Sequence, residues 1–155
     1  MWGLFWRLYS AHLFADFTLQ TPTILEQKGT LRGTLVHSLL VLAAATIVVI
    51  QPALFRPILF IMLAALFALH FATDWLKSMI GDVPARLGLV LFAADQLVHI
   101  GVILMLSALF GWGYYYGPVP PFVRLALAIF AIWTAPIVIY IIPVSYTHLT
   151  LPTKA

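Results

Sequence analysis

The chain has 155 residues, 63% of them hydrophobic and only 8% charged, with a formal net charge of +3 at pH 7. A mean hydropathy of +1.05 excludes an ordinary soluble domain. The basic residues stand singly, which excludes a nucleic-acid surface, and the lack of cysteine excludes disulfides and thiolate metal sites.

The apolar runs are long enough to span roughly 30 Å of hydrocarbon, which takes about 20 helical residues. The expected fold is all-α: a polytopic membrane helical bundle of about five hydrophobic helices with a polar His/Asp cluster inside. Its expected partner is the lipid bilayer, with a homodimer as a further option.

The first predicted helix covers residues 2–19. It lacks a basic start, and His12 and Asp16 interrupt its apolar run, so it does not read as a cleaved signal peptide. Thr21-Pro22-Thr23 breaks it, and residues 24–28 read as a short turn or interfacial helix. Gly29-Thr30 signals the start of a second helix over 31–50. Gln51-Pro52 and Arg56-Pro57 mark a tight turn before a third helix over 57–79. Gly81-Asp82-Val83-Pro84 is the next loop, and the fourth helix runs over 85–110. Trp112, Tyr114, Tyr115 and Tyr116 among glycines and prolines suit an interfacial aromatic belt. The fifth helix covers 122–142, with a kink expected at Pro136. Lys28, Arg32, Lys77 and Arg86 would share one end of the bundle, and Arg7, Arg56 and Arg124 the other. The positive-inside rule places the first group in the cytoplasm.

Composition changes abruptly after Pro143. The stretch from Val144 to Thr153 resembles one reading frame of a widely used transposase sequencing adapter. The expected organisation is therefore one integral membrane domain, 1–143, cut short at its C-terminal end, followed by a non-native tail, 144–155. His148 and Lys154 fall in that tail and carry no fold argument.

An ionisable side chain at mid-bilayer costs about 2.5–3.5 kcal/mol on the insertion scale. Yet three His/Asp pairs lie in the apolar helices at a spacing of four: His12/Asp16, His70/Asp74 and Asp95/His99. That spacing puts both members on one helix face. Histidine comes first in the first and third helices, and aspartate comes first in the antiparallel fourth. Stacked together, the three aspartates form a layer nearer the cytoplasm and the three histidines a deeper one. His37, about two turns into the second helix, falls in the same half. The fifth helix offers no such group and reads as packing. His12-Leu-Phe-Ala-Asp16-Phe also echoes His70-Phe-Ala-Thr-Asp74-Trp, which duplication of a helical hairpin or chance would produce.

The motifs His12-x3-Asp16-Phe-x-Leu-Gln20, Lys28, His37, His70-x3-Asp74-x2-Lys77 and Asp95-Gln96-x2-His99 resemble the bacterial membrane family catalogued as domain of unknown function 3307. The likeness covers residues 11–100. It implies a small multi-pass protein of the bacterial inner membrane and brings no activity with it.

Chemistry must therefore come from the residues. Imidazole and carboxylate suit Zn²⁺, Mn²⁺ or Fe²⁺, as one ion or two. On this reading the chain is a membrane metal-dependent hydrolase acting on a lipid or phosphoester. His37, His70, Asp74, Asp95 and His99 would be ligands, and His12 and Asp16 ligand or base. Lys77 and Lys28 would bind an anionic headgroup, and Gln20 and Gln96 would orient water or substrate. A proton- or cation-coupled transporter is the second reading, because intramembrane Asp/His chains also mark ion pathways. A structural subunit is the third, although interhelical hydrogen bonds of about 0.6 kcal/mol scarcely offset so many buried ionisable groups. Bis-histidine haem ligation by two of His37, His70 and His99 sits badly with the neighbouring carboxylates. Ser38, Phe17 and Trp75 read as packing, and Glu26 and Asp82 as solvated loop charges.

Overall fold

A chain in hydrocarbon must satisfy its own backbone N–H and C=O groups, so each apolar stretch becomes a helix. The computed structural model describes residues 1–19, 21, 24, 27–81, 83–112 and 120–134. In it α1 is Trp2–Leu13, extended by a π-helical turn, Phe14–Thr18. Next come α2, Leu31–Phe55, α3, Ile58–Ser78, and α4, Ala85–Phe110. Finally α5, Pro120–Ile129, continues into a second π-helical turn, Phe130–Thr134. Gln20, Glu26, Asp82, Tyr114, Tyr115, Tyr116, Pro136 and the tail 144–155 lie outside the described residues.

Among the described residues three helices are long and apolar enough to cross a membrane: Leu31–Ile50, Ile58–Ser78 and Leu87–Phe110. Their outer faces stay apolar where they are exposed, as at Ile47, Ile61 and Leu97, which in a bilayer means contact with lipid rather than an aggregation hazard. Helices α1, α2, α3 and α4 form a ring in which each packs on its two neighbours, and α5 lies outside against α1. Within the ring, Leu4, Leu8, Val49, Leu59, Met62, Ile103 and Leu106 form one buried apolar cluster.

Two boundaries differ from the sequence reading. Helix α2 does not stop at Gln51-Pro52 but runs to Phe55, and the turn falls at Arg56-Pro57 alone. Proline at 52 has no N–H to give the Val48 carbonyl four residues back. That carbonyl instead accepts a 2.7 Å hydrogen bond from the Arg7 guanidinium. Arg7 also sits 4.5 Å over the Phe122 ring, so one cation ties α1 to both α2 and α5. The second difference is the π turn in α1. Leu19 N–H bonds the Phe14 carbonyl five residues back, which shifts the helical register through Asp16.

The two ends of the bundle are closed differently. At one end the Met1 ammonium donates to the Gly111 carbonyl (2.8 Å), and Arg56 donates to the Trp112 carbonyl (2.9 Å). At the other, Thr30 caps α2 by accepting the Gly33 N–H at 3.0 Å. Gly33 has no side chain there because the Gln27 backbone lies against it. This close approach, with a 2.8 Å bond from Thr34 Oγ1 to the Lys28 carbonyl, pins the backbone of Lys28 to α2.

Candidate metal centre

The ring geometry brings residues 12, 16, 37, 70, 74 and 99 together in the polar half of the interior, all of them buried. Four imidazoles form one cluster. The His12 ring stacks on His99 at 4.9 Å, His70 meets His99 at 4.4 Å and His37 at 5.2 Å, and His12 meets His70 at 5.6 Å. Each of the four ring helices supplies one histidine.

The carboxylates lie against these rings. Asp16 Oδ1 is 3.1 Å from His37 Nε2 and 3.7 Å from His12 Nδ1. Asp74 is surrounded: Oδ2 lies 3.4 Å from His37 Nε2 and 3.6 Å from His70 Nε2, and Oδ1 lies 3.5 Å from His99 Nε2. His70 Nε2 is itself 3.2 Å from His37 Nε2. Asp95 lies toward the rim, its Oδ1 3.7 Å from His99 Nδ1. Its carboxylate pairs with Lys77 at 2.7 Å, and Lys77 is 37% exposed.

The donor set can be tested against a metal. A tetrahedral zinc site with bonds of 2.0–2.1 Å has ligand–ligand edges of about 3.3 Å. Asp16 Oδ1–His37 Nε2, His37–His70, His37–Asp74 and His70–Asp74 measure 3.1, 3.2, 3.4 and 3.6 Å. Two triads have all their donor atoms within 4.8 Å of one another: Asp16, His37 and His70, and His70, Asp74 and His99. The residues present fit the ion. Both triads include His70, and an imidazole nitrogen has one lone pair to give, so one His70 nitrogen cannot serve an ion in each. Asp95 belongs to neither triad, whereas Asp16, expected as ligand or base, belongs to one.

One of the four histidines has the second contact that metal histidines use. His99 Nδ1 lies 2.8 Å from the Asp95 carbonyl oxygen, so the proton sits on Nδ1 and Nε2 keeps its lone pair. Asp95 therefore serves the cluster through its backbone oxygen while its carboxylate holds Lys77. Several buried atoms have no hydrogen-bond partner: both nitrogens of His12, Nδ1 of His37, Oδ1 of Asp16 and both oxygens of Asp74. So many buried polar atoms without a hydrogen-bond partner in one place is uncommon in a folded protein and suits a site that takes a cation. Lys28 Nζ approaches Asp74 Oδ2 to 3.0 Å, as an ion pair without hydrogen-bond alignment. The half-buried Gln96 makes no hydrogen bond to the cluster.

Residues 4–115 match a family described as a protein of unknown function (DUF3307). The chain belongs to this family. No curated protein and no solved structure matches it. The matched segment contains every His and Asp of the cluster.

Sequence reasoning placed Lys28 near the end of the bundle but not on Asp74. A segment between two helices gives no period from which to aim a side chain. It also gave no sign of the π turn that carries Asp16.

Proposed function

We propose that the chain is a membrane-embedded, metal-dependent hydrolase acting on a phosphoester or ester of an anionic lipid. The observation that carries this reading is the set of buried imidazole and carboxylate atoms at coordination-edge distances, among which Asp16 Oδ1 and both Asp74 oxygens have no hydrogen-bond partner. His37 and His70 would hold the ion with Asp16 or Asp74, and His99 would complete the site from the Asp74 side. When bound, a divalent ion supplies Lewis acidity toward a phosphoryl or carbonyl oxygen and makes water more acidic. His12, whose ring nitrogens make no hydrogen bond and whose ring stacks on His99, would accept a proton from water. Lys77, held by Asp95 at the exposed rim, is placed to meet the anionic group. By the positive-inside rule the rim with Lys28 and Lys77 faces the cytoplasm, and the membrane is the bacterial inner membrane, crossed several times.

Charge supports a bound cation. Lys28 answers Asp74 and Lys77 answers Asp95, while the ion-pair partners of Asp16 among the described residues are two imidazoles. One negative charge is left over in a low-dielectric interior, where an uncompensated ion is costly.

A second reading has its own observation. Asp16, His37, Asp74 and His99 alternate in steps of 3.1, 3.4 and 3.5 Å from α1 to α4, which is the layout of a proton relay. Turnover in detergent separates the two. The hydrolase reading expects metal-loaded protein to release product from phospholipid and phosphoester substrates, and Asp74→Asn to reduce this to background. No turnover on such a panel, together with pH changes inside proteoliposomes, would replace it with a proton-linked carrier.

A further inference from the structure

The Lys28 ammonium sits on a carboxylate that also belongs to one of the donor triads, His70, Asp74 and His99. Lys28 Nζ sits 3.0 Å from Asp74 Oδ2, and that oxygen is also the one facing His37 Nε2 at 3.4 Å and His70 Nε2 at 3.6 Å. We infer that Lys28 is an intramolecular stand-in for the metal: it occupies Asp74 in the metal-free protein, and a divalent ion displaces it. The inference rests on the metal-binding reading of the cluster.

Four features favour displacement over a lysine that stays in place. A divalent ion and an ammonium on one buried oxygen repel each other strongly where the dielectric is low. Lys28 keeps 20% of its side chain exposed whereas Asp74 has none, so the ammonium has a short way out to solvent. Its backbone is fixed, by Thr34 Oγ1 on its carbonyl and by the Gln27 backbone packed on Gly33. Only the flexible four-carbon stem has to move, and lysine binds as a point charge without the planar fork that would lock it. The ion-pair geometry, lacking hydrogen-bond alignment, fits a contact that is readily given up. Metal loading would thereby expose a cation at the rim beside Lys77, ready for an anionic group.

The experiment measures Zn²⁺ affinity of the full chain in detergent by competition with a chromogenic chelator, for the parent protein and for Lys28→Met. Peptide-level mass spectrometry of amine acylation at Lys28 in the parent protein, with and without Zn²⁺, runs beside it. The expected result is at least about tenfold tighter Zn²⁺ binding in Lys28→Met, and acylation of Lys28 that rises on Zn²⁺ addition while Lys77 changes little. Zn²⁺ bound by the parent, with equal or weaker affinity in the variant and no change in Lys28 acylation, overturns the competition and leaves the metal site standing. Zn²⁺ bound by the variant alone supports it in its strongest form. No Zn²⁺ on either protein overturns the metal reading and this inference together. The acylation readout does not depend on the variant folding.

Discussion

Helix α1 passes through two environments, and the contrast between them organises the molecule. Its first half presents Leu4, Phe5 and Leu8 to Leu59, Met62 and Leu106 in a fully apolar cluster. Its second half presents His12 and Asp16 to three more imidazoles and Asp74, with orphaned polar atoms throughout. The first environment holds four helices together by close packing. The second gives up stability to gather donor atoms, as functional sites commonly do. The polar half is only partly satisfied by its own hydrogen bonds: His37 joins His70 and Thr73 joins His99, while both Asp74 oxygens and both His12 nitrogens have no such partner.

Substitutions should therefore behave oppositely in the two halves. The largest expected effect is on ligand binding: His70→Ala, which removes the residue common to both triads, should weaken metal affinity by at least about 100-fold. Equilibrium competition with a chelator measures this. Next, Met62→Ala in the apolar half should destabilise by about 2–5 kcal/mol through the cavity it leaves, with metal stoichiometry unchanged. Reversible unfolding in mixed detergent checks the first part and elemental analysis the second.

His12→Phe sharpens the contrast. It replaces a buried ring with two unpartnered nitrogens by an apolar ring of similar size, and should stabilise by about 1–3 kcal/mol. If His12 takes a proton from water, turnover should fall by about 10²–10⁴-fold while metal stays bound. A loss of stability on this change would mean that His12 is already satisfied in the bundle. The smallest effect belongs to the edge of the polar half. Thr30→Ala removes the cap of α2, which should cost about 1 kcal/mol and loosen the turn that carries Lys28. Thermal unfolding with acylation of Lys28 as a second readout measures both.

Much of this was legible in the sequence, and the limits have physical causes. Helix existence followed from apolar length, and the fourth helix ends where the residues predict, at Ala85 and Phe110. The spacing of four put His70 with Asp74 and His99 with Asp95 on single faces. It could not say which faces meet, because that depends on the order of helices around the ring. The spacing therefore grouped Asp95 with the ligands without showing its pairing with Lys77, and left Asp16 as ligand or base without showing that it meets His37. Pro52 read as a stop because a local rule cannot see Arg7, 45 positions earlier in the chain, taking over the Val48 carbonyl. Lys28 was legible as a basic residue at a helix end. Its entry into the interior depends on Gly33 admitting the Gln27 backbone, a contact with no sequence period.

The central claim is that the buried His/Asp cluster is a site for one divalent ion. Elemental mass spectrometry of the detergent-purified chain, after incubation with Zn²⁺, Mn²⁺ or Fe²⁺ and removal of excess, tests it most directly. The account predicts about one equivalent per chain, lost in His70→Ala with the helical content retained. No bound metal under any of these conditions, or the same metal content in His70→Ala as in the parent, would contradict it.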